Sequence, residues 1–148
     1  MYRMTIVTSE RETLVDITQD VRRLVRENSW RSGAAVLFCP HSTCGLTINE
    51  GADPDVVRDM LRFLSEAVPR RNNWRHAEGN SDAHIKSSLL GSSLMVLIEG
   101  GSLCLGTWQS IYLYEGDGPR TRNLWIQWLP AEVKPSPDHT STRTSDKS

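Results

Sequence analysis

The sequence predicts an α+β fold: a single compact domain with a mixed or antiparallel sheet, two main helices and one short helix. Three observations lead there. Segments of alternating or β-branched residues occur at both ends of the chain, two internal windows carry apolar stripes at helical spacing, and the helices fall between strand pairs instead of following every strand. The 148 residues, 38% apolar and 24% charged, suffice for one core without disulfide staples and leave no room for a second folded domain.

Residues 2 to 8 (YRMTIVT) and 13 to 18 (TLVDIT) read as a first pair of strands with a turn between them. Thr18 is the expected cap of the first helix, whose stripe is Ile17, Val21, Leu24 and Val25. Residues 28 to 33 end it. GAAVLFCP then reads as a strand buried on both faces, broken by Pro40. HSTCGLTINE (41 to 50) alternates like a strand, with Leu46 and Ile48 on its apolar side.

The second helix is announced by Asp53 as N-cap and Pro54 at the first helical position, followed by the stripe Val56, Val57, Met60, Leu61, Leu64 and Val68. Residues 69 to 80 read as a loop. SDAHIKSSLLG forms the short helix, stopping at Gly91. SLMVLIEG, SLCLGTWQSIYLYE and TRNLWIQWL are three closing strands, joined by turns at Gly100-Gly101 and at Gly116 to Pro119, where Asp117-Gly118 suits a hairpin. The domain so defined is 1-129. Residues 130-148, rich in Pro, Ser and Thr and without apolar periodicity, form an expected flexible tail.

A net charge of -1 gives no basis for non-specific nucleic-acid binding, which needs a clustered basic surface. The N-terminus lacks the apolar core of a signal peptide and no apolar run is long enough for a membrane span, so no membrane association and a cytoplasmic location are expected. The three cysteines, Cys39, Cys44 and Cys104, form no spaced framework and are expected as reduced thiols, Cys39 and Cys104 packing as small hydrophobes. Cys44 lies three residues from His41, but no orienting group for a Cys-His nucleophile is identifiable.

His41, His76 and His84 are the histidines of the domain. Together they can supply a three-histidine site with an open position, as in catalytic zinc. Their separations of 35 and 8 residues match no standard finger or HExxH pattern, so separately hydrogen-bonded histidines remain the alternative. In EGNSDAHIKSS, Asn80, Ser81 and Asp82 precede a helix start whose free amides suit phosphate or carboxylate, or they simply cap the helix. Lys86 is the only lysine among thirteen arginines before the tail, and lysine offers a compact charge that arginine does not. Near the C-terminus Thr107, Gln109, Glu115, Asp117, Arg120 and Arg122 cluster. Counting by two puts Gln109, Ile111, Leu113 and Glu115 on one strand face, where buried polar groups would demand partners. Arg120 can clamp a phosphate or lie on the surface.

PHSTCGLTINEGADPDVVRDM, HAEGNSDAHIKSSLLGSS and GSLCLGTWQSIYLYEGDGPR, in that order, resemble the YjbQ-like family, also called the secondary thiamine-phosphate synthase family. The resemblance covers residues 1 to 129. It implies a YjbQ-like α+β domain assembling as a homotrimer, with His41, His76 and His84 near a subunit boundary as ligands of a divalent metal, zinc or magnesium. It further implies catalytic roles for Asn49, Glu50 and Lys86, Glu50 as general base, and substrate contacts from Asn80, Ser81, Asp82, Gln109 and Arg120, with Trp108 and Gln109 matching the GTWQ motif. Cys44 departs from the family pattern, where a small residue such as alanine is usual. The implied activity is a transferase reaction, thiamine-phosphate synthesis: a hydroxymethylpyrimidine diphosphate loses pyrophosphate and is captured by a thiazole phosphate. Read this way, His41, Asn49 and Glu50 form one wall of a shared site for a small phosphorylated or anionic substrate. The competing expectation is a non-catalytic trimeric module that holds a small anion or metal.

Overall fold

In chain order the elements are β1 (Tyr2–Val7), β2 (Thr13–Asp16), α1 (Thr18–Glu27), β3 (Gly33–Phe38), β4 (Cys44–Glu50), α2 (Pro54–Ala67), α3 (Ser81–Leu90), β5 (Ser93–Glu99), β6 (Ser102–Leu103), β7 (Gln109–Glu115) and β8 (Thr121–Pro130). The computed structural model describes residues 1–132. The expected tail, apart from its first three residues, lies outside them. Its boundary moves slightly, because Pro130 still pairs with Gly33 and the Ala131 amide donates to the Ser32 carbonyl at 2.9 Å.

The strands form two sheets, β1-β8-β3-β5-β6 and β2-β7-β4, and every pairing is antiparallel. The inner face of the large sheet contributes Ile6, Ala35, Leu37, Val96, Ile98, Leu124 and Ile126 to the main core, against Leu46, Ile111 and Leu113 from the small one. Ile17, Val21 and Val25 of α1 complete that core. On the other face of the small sheet Tyr112 and Tyr114 pack with Leu14 and Leu64, against α2. The result is a single α+β domain, as the alternation and the helical stripes predict.

Several local expectations are corrected. Residues 2 to 8 and 13 to 18 do not pair with each other: β1 lies against β8 and β2 against β7, in different sheets. The segment 102 to 115 is broken at a turn into β6 and β7, which also belong to different sheets. GDGPR is therefore a crossing between sheets and not a hairpin, and its Gly118–Pro119 peptide is cis. The left-handed pair occurs at Gly100 and Gly101, φ 57° and 80°, in the β5–β6 turn. Thr18 does not cap α1. Its hydroxyl accepts from the Ile111 amide while Asp16 takes the Thr18 amide, each at 2.9 Å or less.

β3 is buried on one face only: Ala35 and Leu37 are inside, while Phe38 is exposed. Phe38, Met95, Leu97 and Leu129 leave the outer face of the large sheet apolar, and Cys104 is exposed instead of packed. Asp53 does cap α2, accepting from the Asp55 amide at 2.9 Å, with Pro54 following. The end of α3 docks on the edge strand β4, where the Leu46 amide donates to the Gly91 carbonyl at 3.0 Å. Gly45 allows this approach, because a Cβ there would sit 2.9 Å from the same carbonyl oxygen.

Candidate functional site

His41 lies in the turn between β3 and β4, and β8 holds that turn. The Asn123 amide donates to His41 Nε2 at 2.9 Å. Next to it in sequence, Arg122 donates through Nη2 to Thr43 Oγ1 at 2.9 Å and through Nε to Glu115 Oε2 at 2.8 Å. A second, shorter contact joins Arg122 Nη2 to Glu115 Oε1. Glu115 is fully buried, and also accepts from the Thr8 hydroxyl and the Asp117 amide, both at 2.9 Å. Burial alone would raise its pKa, but Arg122, the Asp117 amide and Thr8 outweigh burial and hold the carboxylate below its ordinary range. The partners demanded by a carboxylate on the apolar face of β7 are thus supplied by three other segments. For His41, burial and then the Arg122 charge hold the imidazole below the ordinary histidine pKa.

Lys86 is 1% exposed. Its ammonium donates to both Glu12 oxygens at 3.0 Å and to Asp82 Oδ2 at 3.3 Å. Arg11 makes a two-pronged contact with Asp82 at 2.9 and 3.0 Å, so Asp82 neither caps α3 nor faces solvent. Burial acts to raise the Asp82 pKa, but Arg11 and then Lys86 overcome it and hold the carboxylate below its usual value. Tyr114 donates to Glu12 at 3.2 Å, and burial beside that carboxylate pushes its hydroxyl pKa up. Asn80 is buried and donates to Asp117 Oδ2 at 2.9 Å, while Ser81 opens α3. Arg120 turns back on Asp117, donating to its carbonyl at 2.7 Å and its carboxylate at 3.0 Å.

Two positions before Lys86 on the same helix, His84 faces a different environment. It borders a cleft of about 310 Å³ together with His41, Ser42, Ser87, Ser88 and Ser92. Among the described residues the lining contains no carboxylate and no ammonium or guanidinium group. Cys44 forms part of the wall but is itself buried, and its contact with Cys39 together with burial holds its thiol far above the ordinary range. On its other side His84 meets His76 edge to face, with ring centroids 5.5 Å apart, beside Trp74 and Arg75. His76 Nε2 also lies 3.4 Å from Glu78.

The structure does not gather the predicted residues into one place. His84 contacts His76 on one side and shares a cleft with His41 on the other, but among the described residues no three His, Cys, Asp or Glu side chains are grouped for a metal ion. The one-chain arrangement therefore does not fit a three-histidine centre. The expected shared wall of His41, Asn49 and Glu50 is also corrected. Cys44 pairs with Glu115 at one end of β4 and Glu50 with Gln109 at the other, six residue steps or about 20 Å apart. There Asn49 is exposed, its side chain accepting from the Glu50 amide at 2.8 Å, and Gln109 accepts from the Gly106 amide at 2.8 Å. Trp108 is exposed beside them.

Sequence reasoning missed Arg11 and Glu12 as partners of Lys86, and Ser42 and Ser92 as cleft residues. The first pair gave no signal, because ion pairs between distant segments leave no spacing pattern. Ser42 sits beside His41 in the motif and was findable by adjacency.

Two antiparallel sheets with a His- and Ser-lined cleft at one end of the smaller one define the class of domain. The family model described as UPF0047 protein YjbQ-like matches residues 2–131, and the chain belongs to that family. It is 50% identical over 125 residues to UPF0047 protein YugU of Bacillus subtilis (strain 168), covering 84% of this chain and 95% of that protein. Among solved structures, an uncharacterized conserved protein of the YjbQ/UPF0047 family from Clostridium acetobutylicum superposes with TM-score 0.85 at 48% identity, covering 87% of this chain and 100% of that one. A conserved hypothetical protein from Thermus thermophilus gives 0.81 at 47% identity, with coverage of 87% and 100%. No helix of the described residues is long and apolar enough to cross a membrane.

Proposed function

We propose that the protein is an enzyme acting on a small phosphorylated or otherwise anionic substrate held in the cleft between His41 and His84. The observation that carries this reading is the cleft's lining: among the described residues, two imidazoles and four serines with no carboxylate to repel an anion. The reaction implied by the family resemblance is thiamine-phosphate synthesis. In it the thiazole nitrogen bonds to the pyrimidine methylene carbon as the bond to pyrophosphate breaks, and an anion-binding cleft would hold the departing group. Lys86 cannot reach out to that group without leaving Glu12 and Asp82, so the cleft donors serve instead.

Homotrimer formation belongs to the same reading. Its support is the exposed apolar outer face of the large sheet, with Phe38, Met95, Leu97 and Leu129, of a kind that soluble chains normally cover. Assembly would also offer a way for Asn49, Glu50 and Gln109 of another copy to approach the cleft. A divalent ion, zinc or magnesium, enters only through His76 and His84, whose rings already meet, with remaining ligands from outside this chain.

The test is a multiple-turnover assay with pyrimidine diphosphate and thiazole phosphate, following pyrophosphate release. Turnover that His84→Ala abolishes while the fold persists is the expected result. Phosphate-dependent thermal stabilisation without turnover on any phosphorylated substrate would instead favour a non-catalytic anion-binding module, the second reading, which a lining without a carboxylate base among the described residues favours.

A further inference from the structure

We propose that His41 serves as an N–H donor of fixed tautomer to an oxyanion in the cleft, a phosphate or carboxylate oxygen, and is not a metal ligand. The inference rests on the cleft being the ligand site. A neutral imidazole has one N–H and one lone pair. The lone pair of His41 is on Nε2, because that atom accepts the Asn123 amide at 2.9 Å, and the proton must therefore be on Nδ1. A metal ion bonds to the lone pair. Binding through Nε2 would require breaking the contact with β8, and binding through Nδ1 would require moving its proton to Nε2, where it would face the Asn123 N–H and break the same contact.

The surroundings make that contact hard to give up. Asn123 follows Arg122, which is 4% exposed, clamped by Glu115 and bonded to Thr43 two residues beyond His41. The Gly116 amide donates to the Thr43 carbonyl at 3.0 Å. The turn bearing His41 is thus tied at both of its ends to β8 and to the end of β7. Around the cleft, the hydroxyls of Ser87 and Ser88 are returned to the Ala83 and His84 carbonyls at 2.8 and 3.0 Å. Ser42, Ser92 and His84 remain beside His41 to complete a donor set for an anion.

Nitrogen-15 NMR of the histidine side chains in the full chain tests this directly. The expected result is the Nδ1–H tautomer at His41, with Nε2 showing the shift of a hydrogen-bonded acceptor; the Nε2–H tautomer overturns the proposal. Inorganic phosphate is then titrated, and a shift of the His41 Nδ1 resonance is expected. Phosphate that binds without moving His41 removes the donor role and leaves the anionic-substrate reading standing. Phosphate that neither raises the melting temperature nor moves any cleft resonance removes both. Two variants complete the test. Asparagine places an amide near the position of Nδ1, so His41→Asn should keep phosphate affinity within about threefold while His41→Ala loses about tenfold or more. Equal losses in both variants count against a donor at Nδ1. In a parallel titration, zinc that binds at His41 Nε2 overturns the proposal, and zinc that shifts His76 and His84 alone agrees with it.

Discussion

The small sheet is built differently at its two ends. Where Cys44 pairs with Glu115, the strands are buried and held by Arg122, Thr8, Thr43 and the Asp117 amide. Where Glu50 pairs with Gln109, the side chains are wholly or partly exposed and their hydrogen bonds are mostly to neighbours in sequence. One ten-residue motif, HSTCGLTINE, runs between these environments. Its first half is a scaffold around a cleft, and its second half carries the exposed Asn49 and the partly exposed Glu50.

The contrast breaks most severely at the buried carboxylate. Glu115→Ala leaves Arg122 with no counter-ion inside the core and should cost about 3–5 kcal/mol, measured by denaturant unfolding. The opposite end should barely respond: Asn49→Ala and Glu50→Ala are expected within about 0.5 kcal/mol of the parent. A loss at Glu50 comparable to that at Glu115 would contradict the comparison. Between these extremes, Gly45→Ala pushes a methyl group into the Gly91 carbonyl and should cost about 1–3 kcal/mol by displacing the end of α3.

Acid sensitivity sharpens the same comparison with smaller effects. Glu115 and Asp82 titrate below their ordinary values in the folded chain. Their contribution is therefore in full above the unfolded carboxylate pKa of about 4 and is lost as pH falls through the depressed folded values. His41 acts higher on the scale. Its folded pKa is lowered, so the unfolded chain binds the proton first, and stability should begin to fall as pH drops below about 6.5. His41→Asn should remove that early part of the acid slope and leave the carboxylate part intact, which urea titrations between pH 7 and pH 3 would separate.

Elements governed by short-range chemistry were legible in the sequence. Asp53 and Pro54 start α2 because a cap needs only the next two residues, and Gly100-Gly101 turns because both positions take positive φ. Strand partners were not legible, since β1 and β2 choose partners across the length of the chain. The site shows the same division. Lys86 stood out as a lone lysine, and its three hydrogen bonds explain why a compact ammonium suits the position, yet nothing near it in sequence pointed to Glu12. His41 was conspicuous, but its tautomer depends on an amide 82 positions away.

The pairing of the first strand with the last also governs how the chain can fold while it is being made. Residues 2–7 wait for residues 121–126, and Thr8 meets Glu115 across 107 positions. On the ribosome, β3 and β5 can meet early, but β1 and β2 remain without partners until residues 112–126 have been made. Closure of both sheets therefore cannot precede the emergence of β7 and β8, and until then the edges of β1 and β2 are open to other chains.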